Sequence, residues 1–103
     1  MIKLTLAELD ARTAADKPVI IDFFATWCGP CKMFAPIFER VDAKCDGVDF
    51  AEVDIDEQPE MAERFGIQNV PFVVAMKGGE IVHQAQGIMT EKGLTELAER
   101  ISG

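Results

Sequence analysis

Basic residues are scarce in this chain of 103 residues: ten Lys and Arg stand against eighteen Asp and Glu, a formal net charge of −8. Nucleic acids and anionic membranes draw proteins in through basic patches, so neither is expected as a partner. No apolar run is long enough to span a membrane, and Met1-Ile2-Lys3-Leu4-Thr5 opens a mixed polar pattern without an apolar leader core. Cysteine is also sparse: three residues do not make a secreted disulfide framework. These absences together point to a cytoplasmic, reducing setting. Repeats, low-complexity tracts and Gly-rich nucleotide loops of the GxGxxG type are missing as well, so no bound nucleotide cofactor is expected. What remains is a chain that is 49% hydrophobic, enough for one core, read as a single domain over 1–103.

Two of the three cysteines carry the chemistry. Trp27-Cys28-Gly29-Pro30-Cys31-Lys32 follows the apolar run Val19-Ile20-Ile21-Asp22-Phe23-Phe24 and precedes a segment of helical period. Helix positions i and i+3 lie roughly 5–6 Å apart, so the two thiols can close to a disulfide and reopen with little backbone movement. Phe34, Ile37, Phe38 and Val41 mark one buried helix face, and Cys31, three residues before Phe34, is expected to point inward. Cys28 precedes the first full turn, where free N–H groups and the helix dipole favour an anion. It is expected to be the exposed thiol of lowered pKa, and hence the nucleophile. Other uses of the pair fit less well. Structural zinc needs four well-spaced ligands, and beyond these two only Cys45 and the lone His83 are on offer. A c-type haem needs His where Lys32 stands, and an inert disulfide closing so short a loop stabilises little.

The rest of the chain reads as alternating elements. A strand Ile2 to Leu4 is followed by a helix opened by the capping box Thr5-Leu6-Ala7-Glu8 and ending before Lys17-Pro18. Val19 to Phe24 is a central strand covered on both faces, and the next helix runs from about Pro30 to Lys44 with Pro36 inside it. Val48 to Ile55 is a further β segment; Pro59 starts a short helix ending at Phe65 with Gly66 as its cap. Phe72 to Met76 and Ile81 to Ala85 flank Lys77-Gly78-Gly79-Glu80 as an antiparallel hairpin. Thr90 caps a last helix carrying Leu94, Leu97, Ala98 and Ile101 on one stripe. The order β-α-β-α-β-α-β-β-α implies an α/β fold, a central mixed five-stranded sheet flanked by four helices.

Several other residues merit individual reading. Asp22 shares a strand face with Ile20 and Phe24 and is therefore expected to be buried without a cation, with a raised pKa. Pro71, between Val70 and Phe72, stands at a strand start, where proline is tolerated, and on sequence alone a trans bond is expected. Cys45, eleven residues after Phe34, returns to the same helix face and reads as a small buried side chain, and His83 as a strand residue without a role.

WCGPCK after a strand, Asp22 six residues before Cys28, and Val70-Pro71 together resemble the thioredoxin family, over nearly the whole chain from Leu4 onward. The resemblance implies the thioredoxin fold and a protein-disulfide reductase in which Cys28 attacks, Cys31 resolves and Asp22 assists deprotonation of Cys31. It reverses the expectation for Pro71: the family carries a cis-proline there, against the disulfide, with the preceding backbone, here Val70, pairing with an extended substrate chain. Trp27, Gly29, Pro30, Val70, Pro71 and Gly87 match the family's substrate surface, Ile88 extends it, and Phe72 is expected to shape its apolar part. No cofactor other than the redox-active Cys28–Cys31 disulfide and no metal is implied. The implied partners are disulfide-containing proteins and, as electron donor, a flavin-dependent thioredoxin reductase, with the protein itself a monomer. The alternative is a non-catalytic binding subunit or holdase that uses the same apolar surface.

Overall fold

In the computed structural model, residues 2–15 and 17–102 are described, with side chains 13–15 excepted. The chain forms β1 (Ile2–Lys3), α1 (Leu6–Ala15), β2 (Val19–Phe24), α2 (Gly29–Lys44), β3 (Asp49–Asp54), α3 (Pro59–Phe65), β4 (Phe72–Lys77), β5 (Glu80–Gln86) and α4 (Glu91–Ser102). The element order is the expected one, and boundaries shift by one or two residues where helices and strands fray.

The sheet order is β1-β3-β2-β4-β5, with β1, β3 and β2 parallel and β4 and β5 antiparallel to their neighbours. β2 thus lies at the centre, between β3 and β4, and alternates its side chains between two cores. Val19, Ile21 and Phe23 join Leu9 of α1 and Met61 of α3 on one face. Ile20 joins Phe34, Phe38 and Val41 of α2 and Leu94, Leu97, Ala98 and Ile101 of α4 on the other. Phe38 sits edge-on to Phe50 at 5.2 Å between centroids and packs on Phe34 at 5.7 Å, so it links α2 to the sheet.

Local chemistry sets the connections. Glu8 N–H donates to Thr5 Oγ1 (3.3 Å) and Gly93 N–H to Thr90 Oγ1 (3.0 Å), the two helix starts expected from Thr. Gly66 ends α3 at φ +66°, while Gly78 and Gly79 at +61° and +79° make the hairpin turn, a left-handed pair that side chains disfavour. α2 continues past Pro36 without interruption.

One expectation changes here. Cys45 is half-buried, packed against the margin of the α2 and α4 core and not inside it, since it lies one residue past the end of α2, in extended backbone. Desolvation, with help from the nearby Glu99 carboxylate, pushes its thiol up. Phe72, half-buried, packs with Val70 against the α1 and α3 core, on the face that strand alternation also gives Val74 and Met76. Pro71 itself is buried.

Phe38 offers the direct test of this core. Phe38→Ala leaves a void between α2 and β3 and is expected to lower unfolding free energy by about 3–5 kcal/mol, read as a lower urea midpoint with an unchanged m-value.

Candidate active site

β2 delivers the chain to the first turn of α2 through the short link 25–28, and this link places the two cysteines. Cys28 is the N-cap residue, with extended backbone (φ −93°, ψ 114°), and its sulfur accepts the Cys31 N–H at 3.2 Å. Sulfur here does what Ser or Asp oxygen does at most helix starts, satisfying one of the free N–H groups. A thiolate accepts such a bond more strongly than a thiol. The pair is closed as a disulfide with Cα atoms 5.3 Å apart, inside the range that bridging requires.

The sulfurs do differ, but not in the manner expected. Cys31 points inward at 3% exposure, as its helical phase predicts; Cys28, expected to be exposed, is also buried, at 5%. Its side chain lies with Ala25 and Cys31 in a small cluster closed over by Phe24, Ile55 and Val70. The Val70 carbonyl oxygen stands 3.7 Å from Cys28 Sγ, close enough to take up the solvent face of the sulfur. The asymmetry therefore lies in partners: a backbone N–H and a carbonyl at Cys28, the protein interior at Cys31.

Val70-Pro71 is a cis peptide bond, as the family resemblance implies and the sequence by itself does not. The Pro71 carbonyl accepts Gly87 N–H at 2.8 Å, and Gly87 adopts φ +88°, a conformation that favours glycine. The structure so brings Val70, Pro71 and Gly87 together beside the disulfide. Trp27, Gly29 and Pro30 are exposed on the α2 side, Trp27 at 68%, and Ile88 at 43% follows Gly87. A Cβ built on Gly29 meets nothing within 4 Å, so the space it leaves is open for a partner and not filled by its own fold.

Two residues escaped the sequence reading. Trp27 Nε1–H donates to Asp56 Oδ2 at 2.9 Å, and Asp56 is in turn held by its N–H to Asp54 Oδ1 at 2.9 Å. No sequence signal links positions 29 apart. Met33 is 67% exposed, and its phase gives it away: it falls between Cys31 and Phe34, off the buried stripe.

Asp22 lies in the middle of β2, in register with Glu52 on β3 and Val73 on β4, which rules out a frayed strand end. It is 3% exposed, and Oδ1 has no hydrogen-bond partner among the described residues. Burial first, and the Glu52 carboxylate second, raise its pKa to about 7. Asp22, Cys31, Lys32 and Glu52 line one cavity of about 250 Å³ together with Phe24 and Ala35. A carboxyl that exchanges its proton near neutrality thus shares a chamber with the inner sulfur. Among the described residues no cluster of three or more His, Cys, Asp or Glu is arranged to hold a metal.

A CxxC disulfide at the N-terminus of a helix, fed by the central strand of a mixed sheet and faced by a cis X-Pro segment, defines a thiol–disulfide oxidoreductase of the dithiol-exchange class. Comparison with known proteins agrees. The thioredoxin family model matches residues 1–100. Thioredoxin of Alicyclobacillus acidocaldarius is 41% identical over 98 residues, covering 93% of each chain, and that of Bacillus subtilis is 35% identical over 101 residues, covering 97% of this chain and 96% of its own. The structure of Plasmodium falciparum thioredoxin matches with a TM-score of 0.86 at 35% identity, covering 97% of this chain and 98% of that one. The chain belongs to the thioredoxin family, and its Cys28–Cys31 pair fits the thiol–disulfide oxidoreductase function.

The raised Asp22 pKa makes a stability prediction. An acid that titrates near 3.8 when unfolded and near 7 when folded binds its proton more tightly in the folded state. Its cost is absent below pH 4, grows as pH rises to 7, and is constant above, reaching roughly 4 kcal/mol. Asp22→Asn is expected to match the parent at pH 4 and to exceed it progressively toward pH 8 in urea unfolding of the oxidised protein. A difference that does not change with pH would refute the assignment.

Proposed function

We propose that this protein reduces disulfides in partner proteins, with Cys28 as nucleophile, Cys31 as resolving thiol and Asp22 as proton acceptor. The observation that carries the reading is the N-capping contact from Cys31 N–H to Cys28 Sγ, which favours the thiolate at Cys28 alone. In the reduced protein the Cys28 thiolate attacks one sulfur of the target disulfide; that S–S bond breaks and the other target sulfur leaves, taking up a proton. Cys31 then passes its proton to Asp22 and attacks Cys28 Sγ, so the mixed disulfide breaks and the second target sulfur leaves. Two electrons pass from the dithiol to the target, and the product is the Cys28–Cys31 disulfide.

Access defines the docking surface. With the Val70 carbonyl against Cys28, a target disulfide reaches the sulfur only by lying alongside the segment 70–71, where an extended chain pairs with the Val70 backbone. Trp27, Gly29, Pro30, Gly87 and Ile88 surround this line, with Pro71 beneath it. Trp27 supplies a large apolar contact at low entropic cost, since Asp56 already holds its indole. Regeneration calls for an external donor of two electrons, a flavin-dependent thioredoxin reductase. The reading further includes a reducing compartment, the cytoplasm, and a monomer of one domain over 1–103.

Reduction of a model protein disulfide by dithiothreitol is the assay. The parent is expected to accelerate it, and Cys28→Ser to return the rate to the dithiothreitol background. Cys31→Ser is expected to accumulate a stable mixed disulfide with the target, visible on a non-reducing gel. Partner function retained by Cys28→Ser would instead favour a binding or holdase role. Trp27→Ala is expected to raise KM for the protein target by about tenfold, a loss typical of an interface aromatic, with kcat nearly unchanged.

A further inference from the structure

Lys3 on β1 is in register with Glu52 on β3, and Glu52 with Asp22 on β2. Residues in register on neighbouring strands share a face, so three charged side chains form one row across the sheet, continued on β4 by Val73. Exposure falls along the row: Lys3 is exposed, Glu52 half-buried and Asp22 buried. Glu52 lines both the chamber of about 250 Å³ that holds Asp22 and Cys31 and a smaller cleft of about 40 Å³ with Lys3, Asp54 and Glu57. It therefore stands between the buried carboxyl and the sheet edge. A chamber of this size has room for water, and carboxyl groups in its wall offer the polar partners an ordered water needs.

We propose that Glu52 is a positioning residue for the resolving step of thiol–disulfide exchange, acting on Cys31 through Asp22 as a second carboxylate in the wall of their shared chamber. This rests on the reading of Asp22 as proton acceptor. Two adjacent carboxyls resist ionising together, and the better hydrated one carries the charge at lower cost. Glu52 is half-buried while Asp22 is 3% exposed, so the pair leaves the proton on Asp22 until near neutral pH. The step itself is unchanged: Cys31 gives its proton to Asp22, its sulfur bonds Cys28 Sγ, and the target sulfur departs with the electron pair. What Glu52 sets is how strongly Asp22 draws that proton, and the pH at which it is free to do so. Other groups near Asp22 are accounted for. Lys32 and Cys31 face the chamber from α2, Asp54 follows Glu52 on β3, Lys3 lies beyond Glu52 on β1, and Val73 of β4 carries no charge. Lys32 works against Glu52, but it is exposed and its charge is screened by solvent.

The test compares Glu52→Gln with Glu52→Asp. The Asp22 midpoint is read by carbon-detected NMR titration of its side-chain carboxyl, and the pH profile of mixed-disulfide resolution by single-turnover kinetics. In Glu52→Gln the midpoint is expected to fall by about one unit, and the acidic limb of the rate profile to move with it, giving up to a tenfold faster resolution at pH 5. Glu52→Asp, which keeps the charge, is expected to stay close to the parent on both readouts. An Asp22 midpoint unmoved by Glu52→Gln overturns the proposal, as does a midpoint that moves while the rate profile stays in place. A parent protein that forms no mixed disulfide overturns the reductase reading itself, and is told apart because failure of the Glu52 role leaves that chemistry intact.

Discussion

A carboxyl group buried in the central strand, its Oδ1 without a hydrogen-bond partner among the described residues, is the constraint around which this structure is arranged. At neutral pH Asp22 costs roughly 4 kcal/mol, a large part of the 5–15 kcal/mol that holds a domain of this size together. The fold supports that cost because β2 is covered on both faces. Val19, Ile21 and Phe23 fill one core while Ile20 fills the other, and the strands on either side leave no edge open to water. Were β2 at the edge of the sheet, Asp22 would be hydrated and ordinary.

The same central placement explains the disulfide. Because β2 ends under the N-terminus of α2, the chain turns from strand to helix within a few residues, and the first of the two cysteines becomes the cap. Helix starts need acceptors for free N–H groups, and the Cys28 sulfur supplies one. The second cysteine, one turn on, falls on the buried stripe with Phe34, Phe38 and Val41. Unequal sulfurs thus follow from helix phase and helix capping. Val70 completes the difference by covering Cys28 with a backbone carbonyl. Trp27, Met33 and Ile88 stay exposed on a chain of net charge −8.

Much of this was legible in the residues. Strand β2 and helix α3 fall where their apolar runs and caps place them, and Gly66, Gly78 and Gly79 take the positive φ that their positions imply. Cys31 and Asp22 are buried because period and alternation put them on inward faces, and these are local geometric facts. The misreadings share one cause. Cys28 and Cys45 each depend on more than the local period: Val70 closes over Cys28, and the end of α2 leaves Cys45 half-buried at the margin of the core.

By itself, then, the sequence determined the elements, their order, the dithiol and the inward phases of Cys31 and Asp22, because each arises from contacts within a few residues along the chain. Only the tertiary structure decided the contacts between distant positions: the cis Val70-Pro71 segment against Cys28, Asp56 beneath Trp27, and Glu52 beside Asp22 in one chamber with Cys31. The physical reason is that proton affinity and sulfur access are set by dielectric, charge and packing through space, and those distances exist only once the strands have paired.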